Sequence, residues 1–357
     1  MQFRVPRTFM ATIVTVVALT LMAPVSLFAA GAAEQSGQQA SGQQDAASDG
    51  LVVYTYDVFP EKMQKDIVSH FEQEYGVTVE FQRFKDTGAL FNQVYLERKD
   101  PTADVVIGLD NTYLGKIFEN DLLAAYKPEN LKLRDDRLLV DSEYRAVPFD
   151  YGQITLNYNS EKLQNPPETM QGLLDSSLKE SIIMMNPQTS TPGRNFLLLT
   201  IAKLGEENYL DFWRDLKPNI LTITDGWSEG YGLYTQGEAP IVVSYETSPA
   251  YHRHFEDTTK YKNIFFDNEA YAQIEVAGII NGTERMTNAR RLMDYIVSPE
   301  FQKLIPLNQV MYPVHPDVEL PEAFKQVGRA DNLVRLDAER VRKNLERWLN
   351  EWESVMR

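Results

Sequence analysis

The sequence contains no cysteine and only four histidines among 357 residues. Without Cys there is no disulfide, no Cys-ligated zinc or iron–sulfur cluster, no thiol nucleophile and no lipid attachment through an N-terminal Cys. His70, His252, His254 and His315 argue against a histidine-rich metal site. Positive charge is also short. Thirty-five Lys and Arg face 51 Asp and Glu, for a net charge of −16 and a pI near 4.8. That balance argues against DNA or an anionic membrane surface as a partner, since phosphate binding needs clustered Lys and Arg. It suits a cationic ligand, although acidity also serves solubility. At 43% hydrophobic and 24% charged the chain reads as a soluble globular protein with room for two domains. It has no internal repeat.

Arg4 and Arg7 precede an apolar run from Phe9 to Phe28, broken at Pro24 and followed by small residues around Ala30 and Ala32. This predicts a secretory signal peptide over residues 1–32, with an uncleaved membrane anchor as the alternative. The Gln/Ser/Ala/Gly-rich stretch that follows predicts a flexible tether over 33–50.

From Leu51 onward strands and helices alternate: LVVYTYD, a helix from Lys62 to Tyr75 ended by Gly76, VTVEFQRF, a helix from Ala89 to Glu97, then ADVVIGLDN. This is the pattern of a parallel α/β sheet, whose ligands bind beyond the carboxyl ends of the strands. Tyr54, Tyr56, Asp57, Asp110 and Asn111 fall at those ends, where Asp57 and Asp110 could cap the next helix, touch a ligand, or both. Tyr144–Tyr158 and Tyr271–Ile280 read as long strands crossing between two lobes. The predicted layout is lobe 1 over 51–147, lobe 2 over 148–274 and a return to lobe 1 over 275–357, with a ligand cleft between lobes. A helix is expected within NPPETMQGLLDSSL, and a single one from Glu284 to Ile305. Ser190 to Gly193, with Thr191 between, lies between a strand and a helix and offers hydroxyls and backbone N–H groups to an anion, or simply caps that helix.

The densest signal runs from Gly226 to His252. Trp227, Tyr231, Tyr234, Tyr245 and Tyr251 sit there among Gly, Ser and Thr, where the chain average of 11% aromatic gives about three. Rings set beside small residues can receive something flat, and their faces attract cations by about 0.5–2 kcal/mol each. Ordinary half-buried packing is the plain alternative.

The blocks VYTYD, ADVVIGLDN, VPFDYG, STPG, GWSEGYGLY, SYETSPAYH, VSPEFQ and MYPV occur in the same order as in the periplasmic thiamine-binding proteins of ABC importers, which this chain resembles from about Leu51 to Arg357. The resemblance implies a two-lobed class II binding-protein fold that closes on thiamine or its phosphates, with no cofactor, no metal and no catalytic residue. It implies an ABC permease and ATPase complex as partner, a monomeric state, a periplasmic location and no nucleic acid, the membrane being met only through the transporter or an uncleaved signal segment. Tyr56 and Asp110 look like contacts to the vitamin's rings. Trp227, Tyr245 and Tyr251 look like its aromatic wall, and Ser190 like a ligand of the phosphate end. Asp57, Asn111, Thr191, Gly193 and Tyr312 are additional candidates. One departure is notable: many relatives carry a stacking Trp just before MYPV, where this chain has Val310.

Other ligands suit parts of the pattern. Ferric-ion binders of this fold use adjacent tyrosines with a carboxylate, and no Tyr-Tyr pair occurs here. A polyamine would also suit acids and aromatics. Thiamine-cleaving enzymes of this fold need a Cys nucleophile, which the chain cannot supply.

Overall fold

The computed structural model describes residues 50–357, so the expected signal peptide and the tether up to residue 49 lie outside the described residues. Twelve strands form among the described residues: β1 (Gly50–Tyr56), β2 (Thr78–Phe84), β3 (Val105–Asp110), β4 (Leu123–Ala124), β5 (Val147–Asn159), β6 (Ile182–Met185), β7 (Ile220–Thr224), β8 (Ile241–Tyr245), β9 (Tyr261–Ile264), β10 (Glu269–Ile280), β11 (Tyr312–Pro313) and β12 (Asn332–Val334). The helices are α1 (Glu61–Tyr75), α2 (Thr87–Leu96), α3 (Leu114–Glu119), α4 (Thr191–Leu204), α5 (Tyr209–Leu216), α6 (Trp227–Gln236), α7 (Ser248–Phe255), α8 (Met286–Ile296), α9 (Pro299–Gln302), α10 (Ile305–Asn308), α11 (Glu322–Lys325) and α12 (Ala338–Met356).

Local chemistry explains several boundaries. In α1, Met63, Ile67 and Phe71 recur every fourth residue and are buried, so one face meets the sheet. Gly76 ends it in the left-handed region at φ 64°, and Val77 N–H bonds the Phe71 carbonyl beyond it. The single helix expected from Glu284 to Ile305 is broken into α8, α9 and α10. Pro299 and Pro306 have no N–H for the preceding turn, and each opens a new one. The helix expected after Pro166 is reduced to two 3-10 turns, where the Asp175 side chain accepts from Ser177 N–H in place of a helical carbonyl.

The sheet runs β2-β1-β3-β10-β5-β8-β6-β7. It is mixed: β1 pairs parallel with β2 and β3, and β6 parallel with β7 and β8, while β10 and β5 are antiparallel to their main neighbours. β10 and β5 are the crossing strands. Val147 and Phe149 of β5 lie in one hydrophobic core, and Ile154 and Leu156 in another; β10 makes the reverse passage from Tyr271 to Val276–Ile280. The first core is built on β1–β3 with α1, α2 and α8, and the second on β6–β9 with α4 and α5. The last helix, expected with the first lobe, buries Val341, Leu345, Trp348 and Trp352 in the second core, while its Arg342 reaches Glu119 of α3 at 3.2 Å. No described helix is long and apolar enough to cross a membrane.

Candidate functional site

A cavity of about 800 Å³ opens where the two cores meet, and Tyr245 packs against both. Its floor comes mainly from the strands β1 and β10. Tyr56 closes β1, with its ring lying across β3 at Gly108. A Cβ there would stand 2.0 Å from Tyr56 Cε1, and Gly108 itself has φ 99°, so only glycine fits. The Tyr56 hydroxyl donates to Glu275 Oε2 at 2.7 Å and accepts from Gln309 Nε2. Gln273 Nε2 donates to Glu275 Oε1 (3.1 Å) and to the Tyr245 hydroxyl (2.9 Å). Burial is the main reason the Glu275 carboxyl is pushed up to about 7, with nearby Asp110 adding to it and the Tyr56 hydrogen bond opposing.

The facing wall comes from helix starts. Trp227 opens α6 and stacks on Tyr231 one turn later, with centroids 4.8 Å apart and planes at 19°. Two chains of hydrogen bonds fix the pair. Trp227 Nε1 donates to Ser244 Oγ (2.9 Å), which meets Ser248 Oγ (2.9 Å); the Tyr231 hydroxyl meets His252 Nε2 (2.9 Å), and His252 Nδ1 meets Glu256 Oε2 (2.6 Å). Burial holds His252 below its ordinary value against the pull of Glu256. A neutral ring donating from Nδ1 to Glu256 and accepting from Tyr231 satisfies all three groups. The glycines of α6 make its approach feasible: a Cβ on Gly230 would lie 2.7 Å from Met185 Cε and 2.8 Å from Thr224 Oγ1. Tyr251 of α7 remains 41% exposed at the cavity, its ring against Phe255.

Six carboxylates line the cavity, from Asp57, Asp86, Asp225, Glu229, Glu256 and Glu275, against Lys85 as the lining lysine. The start of α4 contributes Ser190, which is 4% exposed and whose Oγ has no hydrogen-bond partner although its position would let it cap the helix. A buried hydroxyl without a partner beside helix N–H groups is suited to an incoming polar atom.

Of the residues singled out in the sequence, Tyr56, Asp57, Ser190, Thr191, Trp227, Tyr245 and Tyr251 line this cavity. Asp110, Asn111, Gly193 and Tyr312 do not. Asp110 lies behind the wall, where Oδ1 accepts from Thr112 N–H (2.7 Å) and hydroxyl (2.5 Å), and Oδ2 from Thr191 Oγ1 (2.8 Å). Its hydrogen bonds show neither role open to it in the sequence: α3 is capped at Tyr113 without a side-chain bond, and Asp110 closes the turn at Thr112 and positions Thr191. Asn111 ties β3 to β10 through Ile274 N–H and the Ala272 carbonyl. Gly193 lets α4 meet β6, since a Cβ would stand 2.3 Å from the Met185 carbonyl oxygen. Tyr312 is buried with Tyr151 and Phe324 in a third, smaller core. Tyr234, noted with the aromatics, is also core.

Glu275, Gln273, Gln309, Tyr231 and His252 were not singled out as site residues. Glu275 had a signal, as the lone acid within the apolar strand YAQIEVAGII, and Tyr231 had one in its four-residue spacing from Trp227. Gln309 had none. Val310 lines the cavity with φ 58°, a left-handed backbone that a β-branched residue rarely adopts. Among the described residues no group of three or more His, Asp or Glu is placed to hold a metal ion.

The chain matches the family described as bacterial extracellular solute-binding protein over residues 100–344. It is 34% identical to a thiamine-binding periplasmic protein of Brucella abortus over 309 residues, covering 86% of this chain and 92% of that one. It is 33% identical to the thiamine-binding periplasmic protein of Escherichia coli over 311 residues, covering 86% and 93%. Among solved structures it is similar to a periplasmic thiamin binding protein, with a TM-score of 0.79 and 32% identity over 86% of this chain and 96% of that one. The ferric binding protein of Campylobacter jejuni shares the fold at 19% identity and a TM-score of 0.73, over 85% and 99%.

Proposed function

Because the chain belongs to the bacterial extracellular solute-binding protein family, we propose that it captures thiamine or a thiamine phosphate outside the cytoplasm and delivers it to an ABC transporter permease. The observation that carries this reading is an acid-lined cavity of about 800 Å³ walled by the Trp227–Tyr231 stack. Thiazolium is a permanent flat cation and aminopyrimidine a flat hydrogen-bonding ring. Aromatic faces and carboxylates suit both.

In this reading Trp227 and Tyr251 supply ring faces, Tyr56 and Tyr245 supply hydroxyls at the floor, and the unpartnered Ser190 hydroxyl receives the hydroxyethyl or phosphate end. Asp110 acts one step back, by holding Thr191. Open lobes admit the vitamin. Contacts from both sides then favour the closed form, a population shift set by the ligand's differential affinity for the two states. The closed monomer docks on the permease; no bond is made or broken in the ligand.

Titration calorimetry of the mature protein, freed of co-purified ligand by unfolding and refolding, tests the assignment. At least one of thiamine, thiamine monophosphate and thiamine diphosphate is expected to bind with a submicromolar Kd, and more tightly than spermidine or ferric ion. No heat from any of the three with folded protein overturns it.

A further inference from the structure

Three acids lie side by side across the middle of the sheet. In the antiparallel register Glu275 of β10 stands opposite Asp110 of β3 on one side and opposite Asp150 of β5 on the other. Residues directly opposite share a face, with Cβ atoms about 5 Å apart, and like charges in that position repel. All three are buried, and Glu275 alone of them reaches the cavity.

Their hydrogen-bonding is unequal. Asp110 accepts from three donors, and the buried Arg194 guanidinium lies on its side of the row, bonded to the Tyr113 hydroxyl and the Gln188 carbonyl. Glu275 accepts from the neutral donors Tyr56 and Gln273. Neither oxygen of Asp150 has any partner. Three ionised carboxylates in a row cannot be sustained with compensation at one end alone.

We propose that Glu275 is the residue through which the cavity selects a positively charged ligand, and that the Asp110–Glu275–Asp150 row holds a proton in the empty protein which leaves for solvent when a cation binds. The O–H bond of the carboxyl breaks, its electron pair stays on oxygen, and the ligand's fixed charge takes the place of the proton. A neutral ligand has no charge to exchange and meets a carboxyl whose ionisation is resisted by its neighbours.

The titratable groups facing Glu275 agree with this. Tyr56 of β1 and Tyr245 of β8 are held well above their ordinary range, first by burial and then by Glu275 itself, so both remain neutral donors. Asp150 is raised by burial and by Glu275, and Asp110 raises Glu275 in turn. The sign follows. With the empty-state value near 7, proton release is roughly nine-tenths of a proton at pH 6 and one-tenth at pH 8. Affinity is therefore flat above pH 8 and falls toward tenfold per pH unit below pH 7.

The proposal rests on the cavity binding a cation, and thiamine is the probe. Calorimetry at pH 6.5 in phosphate and in imidazole buffers, which differ in ionisation enthalpy, is expected to give different heats that converge at pH 8. Glu275→Gln is expected to remove the buffer dependence, flatten the pH profile and weaken binding about tenfold at pH 8. Asp110→Asn, which removes the neighbouring charge that raises Glu275, keeps the release but moves the fall in affinity to lower pH, and it decides the matter should the Glu275 variant not fold. Equal wild-type heats in the two buffers with thiamine bound would overturn the proposal, as would a Glu275→Gln profile identical to wild type. Failure of thiamine to bind at all would instead sink the thiamine reading.

Discussion

The two walls of the cavity are made of different materials. The floor is mostly strand residues, and what it offers is charge and hydroxyls: Tyr56, Glu275, and the Gln273 and Gln309 amides that bond them. The opposite wall is the helices α6 and α7, and what it offers is ring faces tied into two hydrogen-bonded chains, Trp227–Ser244–Ser248 and Tyr231–His252–Glu256. A mid-strand residue such as Glu275 is fixed by the ladder on both sides, which suits a buried acid whose solvation must be controlled. Trp227 and Tyr231 are held by packing against the second core, which suits a wall that presents ring faces to a flat ligand. The buried carboxyl and the ring faces thus stand on different walls, while Asp225, Glu229 and Glu256 add charge beside the rings.

Substitutions can break that division. The largest effect is expected from Trp227→Ala, which removes a ring face and frees Tyr231: affinity for thiamine falls about a hundredfold, near 3 kcal/mol. Since Trp227 is half-buried against the second core, the melting temperature of the empty protein falls as well. Tyr251→Ala costs about tenfold in affinity with the melting temperature unchanged, because that ring is 41% exposed. If both variants act mainly on melting, the rings are packing residues and the wall is not a recognition surface.

The comparison is sharpened by adding a ring to the poorer side. Val310→Trp is expected to tighten thiamine binding several-fold, by about 0.5–1.5 kcal/mol for a new aromatic contact. It also removes a β-branched side chain from a left-handed backbone, φ 58°. Unchanged affinity in calorimetry would show that position 310 does not face the ligand.

The smallest effect concerns stability alone. Glu246, the residue after Tyr245, is fully buried with Arg329 4.0 Å away, and burial raises its carboxyl well above the ordinary range. Its folded-state value is raised, so folding takes up a proton and the native state loses stability as pH rises above the unfolded value near 4.3. Glu246→Gln lacks that linkage. Its melting temperature is expected to exceed wild type by a few degrees at pH 8 and by less at pH 5, with thiamine affinity unchanged; a gap that shrinks as pH rises would refute the assignment.

Much of this was legible in the chain. Alternating apolar segments gave the α/β class, and Val147–Asn159 and Glu269–Ile280 are too long and too continuously buried to belong to one lobe. The aromatic density near Trp227 marked one wall. What could not be read were cross-strand neighbours. Asp110, Glu275 and Asp150 are separated by more than a hundred positions at their extremes, and only register sets them side by side. Side-chain direction was equally hidden: Asp110 turns to Thr112 and Thr191, and Tyr312 turns to Phe324, though both stand at ends of strands.

The last helix carries a consequence for the order of events in the life of the chain. Trp348 and Trp352 of α12, with Val341 and Leu345, complete a core whose other buried members all lie between Ile154 and Tyr271. In a chain that folds from its N-terminal side, that half therefore lacks its closing side chains until long after its strands have been made. The C-terminal helix thus acts as a late closing piece for a core assembled from the middle of the chain.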